Sequence, residues 1–286
     1  VLKGFGQSAA LGTWASATAM TTSRRGMASA GTYTTALSIG GTPPVTGATE
    51  SYDGSTWTEK GDLATARYEL GGAGTNTAAL AFGGASPNYA LTESFNGTGW
   101  TEETAMTTGR QGTTGCGATN TAALCVGGSN PGYSALTEEW NGTGWTERGD
   151  LNTAREFNSA TGSSTSALTV GGLPPPSGTG ETEEWNGTGW TEVADLNTAR
   201  YSAAAAGGQG MALAIGGYTT TQVTNVEAWN GTAWTEVADI ATAKNYKGAA
   251  ATQTGATNAL TFGGNPSTDV VEEWSTANAI KTFTAS

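Results

Sequence analysis

The chain has 286 residues, a formal charge of −12 and no histidine, and only 13% of it is Lys, Arg, Asp or Glu. That balance, with no Lys/Arg cluster, argues against nucleic acid and anionic membrane surfaces as partners, because both are bound by concentrated basic charge. No apolar run approaches the length of a membrane span, and no histidine-containing catalytic set or metal-ligand cluster is present to suggest a cofactor.

The chain starts at Val1 without methionine and without a secretory signal pattern, as expected of a processed product or of part of a longer polypeptide. Its first readable element is a strand over 11–18 containing Trp14. From there tryptophans recur at Trp57, Trp100, Trp145, Trp190 and Trp234, with spacings of 43 to 45 residues. Each is followed ten residues later by a base: Arg24, Arg67, Arg110, Arg155, Arg200 and Lys244. Glycine pairs keep the same beat, from Gly40-Gly41 to Gly263-Gly264. This is a repeat array of six units, approximately 19–61, 62–104, 105–149, 150–194, 195–238 and 239–286.

Each unit holds four short apolar runs punctuated by glycine and has no sustained helical stripe. In the third unit the strands are GTTGCGA after Arg110, then TAALCVGG, ALTEEW and a run opening at Trp145. Asn141-Gly142 reverses the chain between the last two, which brings Trp140 and Trp145 together across a hairpin. A four-stranded unit of this kind is a propeller blade. The expected fold is therefore all-β, a six-bladed β-propeller of four-stranded antiparallel blades forming a single domain over residues 1–286.

The ends specify closure. Residues 11–18 match a fourth strand with no first three before it, whereas Trp274 matches a third strand whose partner tryptophan is replaced by Ala279. The N-terminal strand is expected to complete the last blade by pairing with 269–275, leaving no open edge between first and last units.

An Arg heading the first strand, a Gly-Gly closing the second, an acid two residues before an aromatic on the third and a Trp opening the fourth together resemble the kelch repeat. In one unit these are Arg67, Gly83-Gly84, Glu93 with Phe95, and Trp100, and counterparts recur throughout the chain. The wording WNGTGWTEVADLNTAR is also similar to kelch-type propellers of marine bacteriophage virions. The kelch fold is shared with the central domain of galactose oxidase, but a copper site of that kind needs histidines.

Two site readings follow. The six bases would form a circle in a closed ring, and the resemblance to kelch domains that bind acidic peptides implies a basic central pocket. Alternatively, each base pairs with a strand acid or a loop carbonyl, a contact that repetition in every unit favours. The stretches after each glycine pair do not repeat, and those after Gly84, Gly128 and Gly217 carry Tyr89, Tyr133 and Tyr218 as candidate recognition residues. Asn96, Asn141, Asn186 and Asn230 begin N-G-T sequons that read first as hairpin turns, and SYDGSTW at 51–57 faintly resembles a sialidase Asp-box. Cys116 and Cys125 lie symmetrically about Asn120-Thr121, so a two-residue hairpin would set them opposite each other, as packed small thiols or as a cross-strand disulfide.

The functional expectation is a non-enzymatic structural or recognition module without cofactors, on a virion surface or otherwise extracellular. Its expected partners are other virion proteins or a host surface glycan, with assembly into oligomers within a particle. A bacterial protein-interaction scaffold and a carbohydrate-active enzyme are the alternatives.

Overall fold

The computed structural model describes residues 12–85, 89–174 and 177–276. It contains six four-stranded antiparallel sheets arranged in a ring and no helix among the described residues. Blade one is formed by Ala28–Thr32, Thr35–Gly41, Thr46–Tyr52 and Trp57–Glu59, hydrogen-bonded in chain order. Blades two to five repeat this order. The sixth is assembled from both ends of the described chain: Gly12–Ala17 pairs with Val271–Thr276, setting Trp14 opposite Trp274. The expected closure is present, and Trp14 supplies the missing aromatic partner. Ala279 lies outside the described residues.

First strands line the axis and touch their counterparts in the neighbouring blades. Six strands converge there, so they consist mostly of Gly, Ala, Ser and Thr, as in Gly71–Gly74 and Ala204–Gly208. Second strands are buried on both faces, and Ala79–Phe82 has no exposed residue. Fourth strands are short outer edges reading Trp-Thr-Glu in blades one to five, a length that discourages edge-to-edge association.

The apolar core is divided into six clusters, each spanning the seam between adjacent blades. At one seam Leu124 and Val126 of blade three meet Trp185 and Trp190 of blade four. The indole N–H groups also bridge blades, with Trp145 Nε1 donating to Thr92 Oγ1 at 2.8 Å and Trp190 Nε1 to Thr137 Oγ1 at 2.9 Å. Within each blade the third- and fourth-strand aromatics stack at centroid distances of 5.0 to 5.5 Å, including Trp140 with Trp145. The repeating tryptophan therefore joins two blades and braces a hairpin within one.

The N-G-T segments are turns. Asn141 Oδ1 accepts from the backbone N–H of Thr143 and Gly144 at 3.0 and 3.1 Å. Asp53 does the same for Ser55 and Thr56, at 2.9 and 2.8 Å, so SYDGSTW is blade one's version of this hairpin. The glycine pairs serve the seams. Gly83 and Gly84 adopt φ of +66° and +116°, and Gly84 N–H donates at 3.0 Å to the Arg110 carbonyl of the next blade. A Cβ on Gly83 would stand 2.8 Å from that carbonyl oxygen. Gly83→Ala is expected to destabilise the protein by about 1–3 kcal/mol, measured by chemical denaturation, because it combines left-handed strain with displacement of a seam contact.

One sequence expectation is corrected here. Thr119 pairs with Ala122 as a two-residue turn requires, but a bulge at Gly117 and Ala118 shifts the register so that Cys116 faces Leu124 and Cys125 faces Gly115. Adjacent positions on a strand point to opposite faces. The thiols therefore enter different seam clusters, and both are buried and free.

Candidate functional site

Arg24, Arg67, Arg110, Arg155, Arg200 and Lys244 are each 0% exposed. Each pairs with the third-strand acid of its own blade: Glu50, Glu93, Glu138, Glu183, Glu227 and Glu272. The other carboxylate oxygen accepts a backbone N–H three residues before the base, at 2.7 to 2.9 Å in all six blades. Each acid thus clasps the loop entering the first strand at two points. Lys244 makes the longest pair, 3.6 Å, because a single ammonium cannot match the forked guanidinium. Burial pulls Lys244 below the ordinary lysine range, and Glu272 opposes that shift. None of the six bases lines the axial cavity. The basic circle exists, but its charges are turned into the blades, where carboxylates neutralise them.

Two residues beyond each base the chain does something the sequence did not announce. Gly26, Glu69, Gly112, Phe157, Ser202 and Tyr246 all have φ between +50° and +64°. The N–H of each donates to the carbonyl of its counterpart in the preceding blade, and Gly26 donates to Tyr246 at 2.8 Å to close the circuit. The six bonds, 2.7 to 3.1 Å long, form a closed collar of backbone around the axis. Four of these residues are not glycine, and each bears about 1–2 kcal/mol of left-handed strain that the collar must hold.

The collar surrounds the mouth of a cavity of about 120 Å³, walled by the small residues of the first strands. Positions one residue beyond each base flank it: Arg25, Tyr68, Gln111, Glu156, Tyr201 and Asn245 bridge to the residue after the glycine pair, where the variable loops begin. Mouth, collar and unlike loops therefore share one face, while the N-G-T hairpins occupy the other.

This face is unequal around its circumference. Phe157 meets Tyr246 edge-on at 5.1 Å and approaches Tyr201 at 6.5 Å, and Tyr201 lies 5.3 Å from Tyr218. Glu69 and Glu156 adjoin this aromatic side, while Arg25 binds Asn265 through Nη1 and Oδ1. Of the tyrosines read as recognition residues, Tyr218 joins the cluster. Tyr133 is 39% exposed in blade three's loop, and Tyr89 lies in blade two's, its N–H donating to the Gly84 carbonyl at 3.0 Å.

Sequence reasoning missed Glu69, Glu156, Phe157, Tyr201 and Tyr246. The available signal was the pair of residues after each repeated base, which reads Arg-Gly, Tyr-Glu, Gln-Gly, Glu-Phe, Tyr-Ser and Asn-Tyr without consensus beside an otherwise uniform motif.

Burial, reinforced by Glu156 and opposed by Arg25, pushes the Glu69 carboxyl up to about 7. In the unfolded chain it would ionise near its ordinary 4.5. Between those values the folded protein holds a proton that the unfolded chain has released, so stability falls as pH rises through the window and levels off above it. Denaturation midpoints of Glu69→Gln are expected to lose this component of the slope and to exceed those of the natural chain at pH 8.

Uniform scaffold and variable mouth together define a six-bladed β-propeller with one differentiated axial face. No protein-family model matches the chain, and no curated protein matches it.

Proposed function

We propose that this chain is a non-enzymatic recognition module with a kelch-like scaffold, carried on a phage virion or otherwise extracellular, that contacts a host glycan or another virion protein through its axial face. The observation that carries this reading is where the repeat fails. Blade contacts recur six times with little change, whereas the residues after each base and each glycine pair differ and share a single face. A rigid frame presenting unlike side chains suits selective binding. The kelch-like residues and the resemblance to marine phage propellers support the setting.

A glycan array on the purified protein tests the reading. Specific retention should disappear when the loops after Gly84, Gly128 and Gly172 are shortened. Firm particle incorporation without glycan binding would leave a structural role, and a soluble partner complex would favour the bacterial scaffold. Cleavage of an arrayed glycan would instead indicate a carbohydrate-active enzyme, with Glu69 and Glu156 the acids to replace.

A further inference from the structure

We propose that the axial mouth binds an organic ammonium group, held by the carboxylates of Glu69 and Glu156 among the rings of Phe157, Tyr201 and Tyr246. This inference rests on the recognition reading above and names the chemistry its site selects.

The two glycines of the collar make room for the groups involved. Glu69 lies over Gly26, its Cγ 3.7 Å from where a Cβ would stand. Over Gly112 lie both the Phe157 ring and Glu156 Oε2, at 2.9 and 3.3 Å from the corresponding point. Side chains from neighbouring blades are thereby folded onto one mouth. Glu156 acts electrostatically on Glu69, and both acids act on Tyr246, which places the three within mutual reach.

Charge then selects the ligand. Arg25 is the base that acts on Glu69, and it is bonded to Asn265. Lys247 also lines the cavity, beneath the collar, but it is buried and its Nζ donates to the Lys244 carbonyl at 2.9 Å. Burial beside Lys244 and Arg200 pulls it well below the lysine range, so it adds no open charge to the mouth. With both acids ionised, Glu69, Glu156 and Arg25 sum to −1, so one monovalent cation neutralises the mouth. An acidic ligand finds no open base there, since the six repeated ones are paired inside the blades. A neutral sugar leaves the carboxylate pair uncompensated. A hard metal cation requires six or more oxygen ligands, but aromatic rings occupy much of this site, and no group of three or more metal-binding side chains occurs among the described residues. An alkylammonium suits both parts, because its charge meets carboxylates and ring faces while its methylenes cover apolar surface.

A primary ammonium can come from a lysine side chain or from an amino sugar, and calorimetric titration distinguishes them. The probes are an acetyl-Ala-Lys-Ala-amide peptide and a glucosamine trisaccharide, each beside the counterpart in which its remaining amines are acetylated, with the intact chain at pH 8. One free amine is expected to bind at least about tenfold more tightly than its acetylated form, the equivalent of about 1.4 kcal/mol. Binding should weaken towards pH 5.5 as Glu69 takes up its proton. Glu69→Gln and Glu156→Gln should each lower affinity about fivefold or more. Glu69→Gln is expected to be at least as stable as the natural chain at pH 8, so a loss of binding there reports the site and not unfolding. Equal binding of free and acetylated probes, or binding of neither amine, overturns the inference. If a neutral glycan is nevertheless retained and is lost in Phe157→Leu, recognition at this face stands and only its ammonium specificity falls.

Discussion

Glu138→Ala is expected to destabilise the protein by about 3–5 kcal/mol, seen as a large fall in the urea midpoint with an unchanged slope. The substitution removes the carboxylate 2.9 Å from Arg110 Nη1 and leaves a guanidinium buried with no counter-charge. It also strips the acceptor from Thr107, whose N–H and hydroxyl reach Glu138 Oε2 at 2.8 and 2.6 Å. Arg110→Met combined with Glu138→Leu should recover part of the loss, because no charge then remains buried. Recovery should be incomplete, since the Thr107 N–H still lacks its partner. A loss below about 1 kcal/mol for the single variant would show that water replaces the carboxylate, and that the clasp does not hold the loop entering blade three.

Deletion of residues 1–17 is the second large perturbation. It removes every partner of Val271–Thr276 on its outer side and takes away the Trp14 ring, which sits 5.4 Å from Trp274. The bond from Trp14 Nε1 to the Ala238 carbonyl, 2.9 Å and across the seam to blade five, is lost as well. The Trp14 ring is partly buried, so its loss adds a share of the ~3 kcal/mol that a fully buried tryptophan contributes. The exposed edge also offers unpaired N–H and C=O groups to another molecule. The expected result is a lowered unfolding midpoint together with concentration-dependent association on size exclusion. A monomer with an unchanged midpoint would mean that the seams on either side of blade six hold the ring without the N-terminal strand.

Much of the architecture was legible because it repeats. One Trp-to-base spacing is ambiguous, but six in phase identify a blade, and the unmatched strand around Trp14 with the unmatched Trp274 identified the closure. The Cys116 and Cys125 register departs from that of a regular two-residue hairpin for a local reason. A bulge at Gly117 and Ala118 inserts one extra residue in the first strand, and nothing in a run of small residues distinguishes that from a regular pairing. The collar was invisible for a different reason. Glycine at two of its positions suggests positive φ, but Glu69, Phe157, Ser202 and Tyr246 give no local sign of a conformation that bonding between blades imposes.

The same contrast separates scaffold from site. By itself the sequence determined the number of blades, their strand order, the hairpin pairing of third- and fourth-strand aromatics such as Trp140 with Trp145, and the way the ring closes, because periodic apolar and glycine positions have few other ways of being buried. It also marked where the repeats diverge. Only the tertiary structure decided that the six bases are neutralised inside the blades, and that unlike residues from separate blades meet at one mouth. Glu69, Glu156, Phe157, Tyr201 and Tyr246 span most of the chain's length, and no local rule relates them. They converge because six equivalent backbone positions are drawn around one axis by hydrogen bonds between neighbouring blades, the last of which, Gly26 to Tyr246, forms only when the ring is closed.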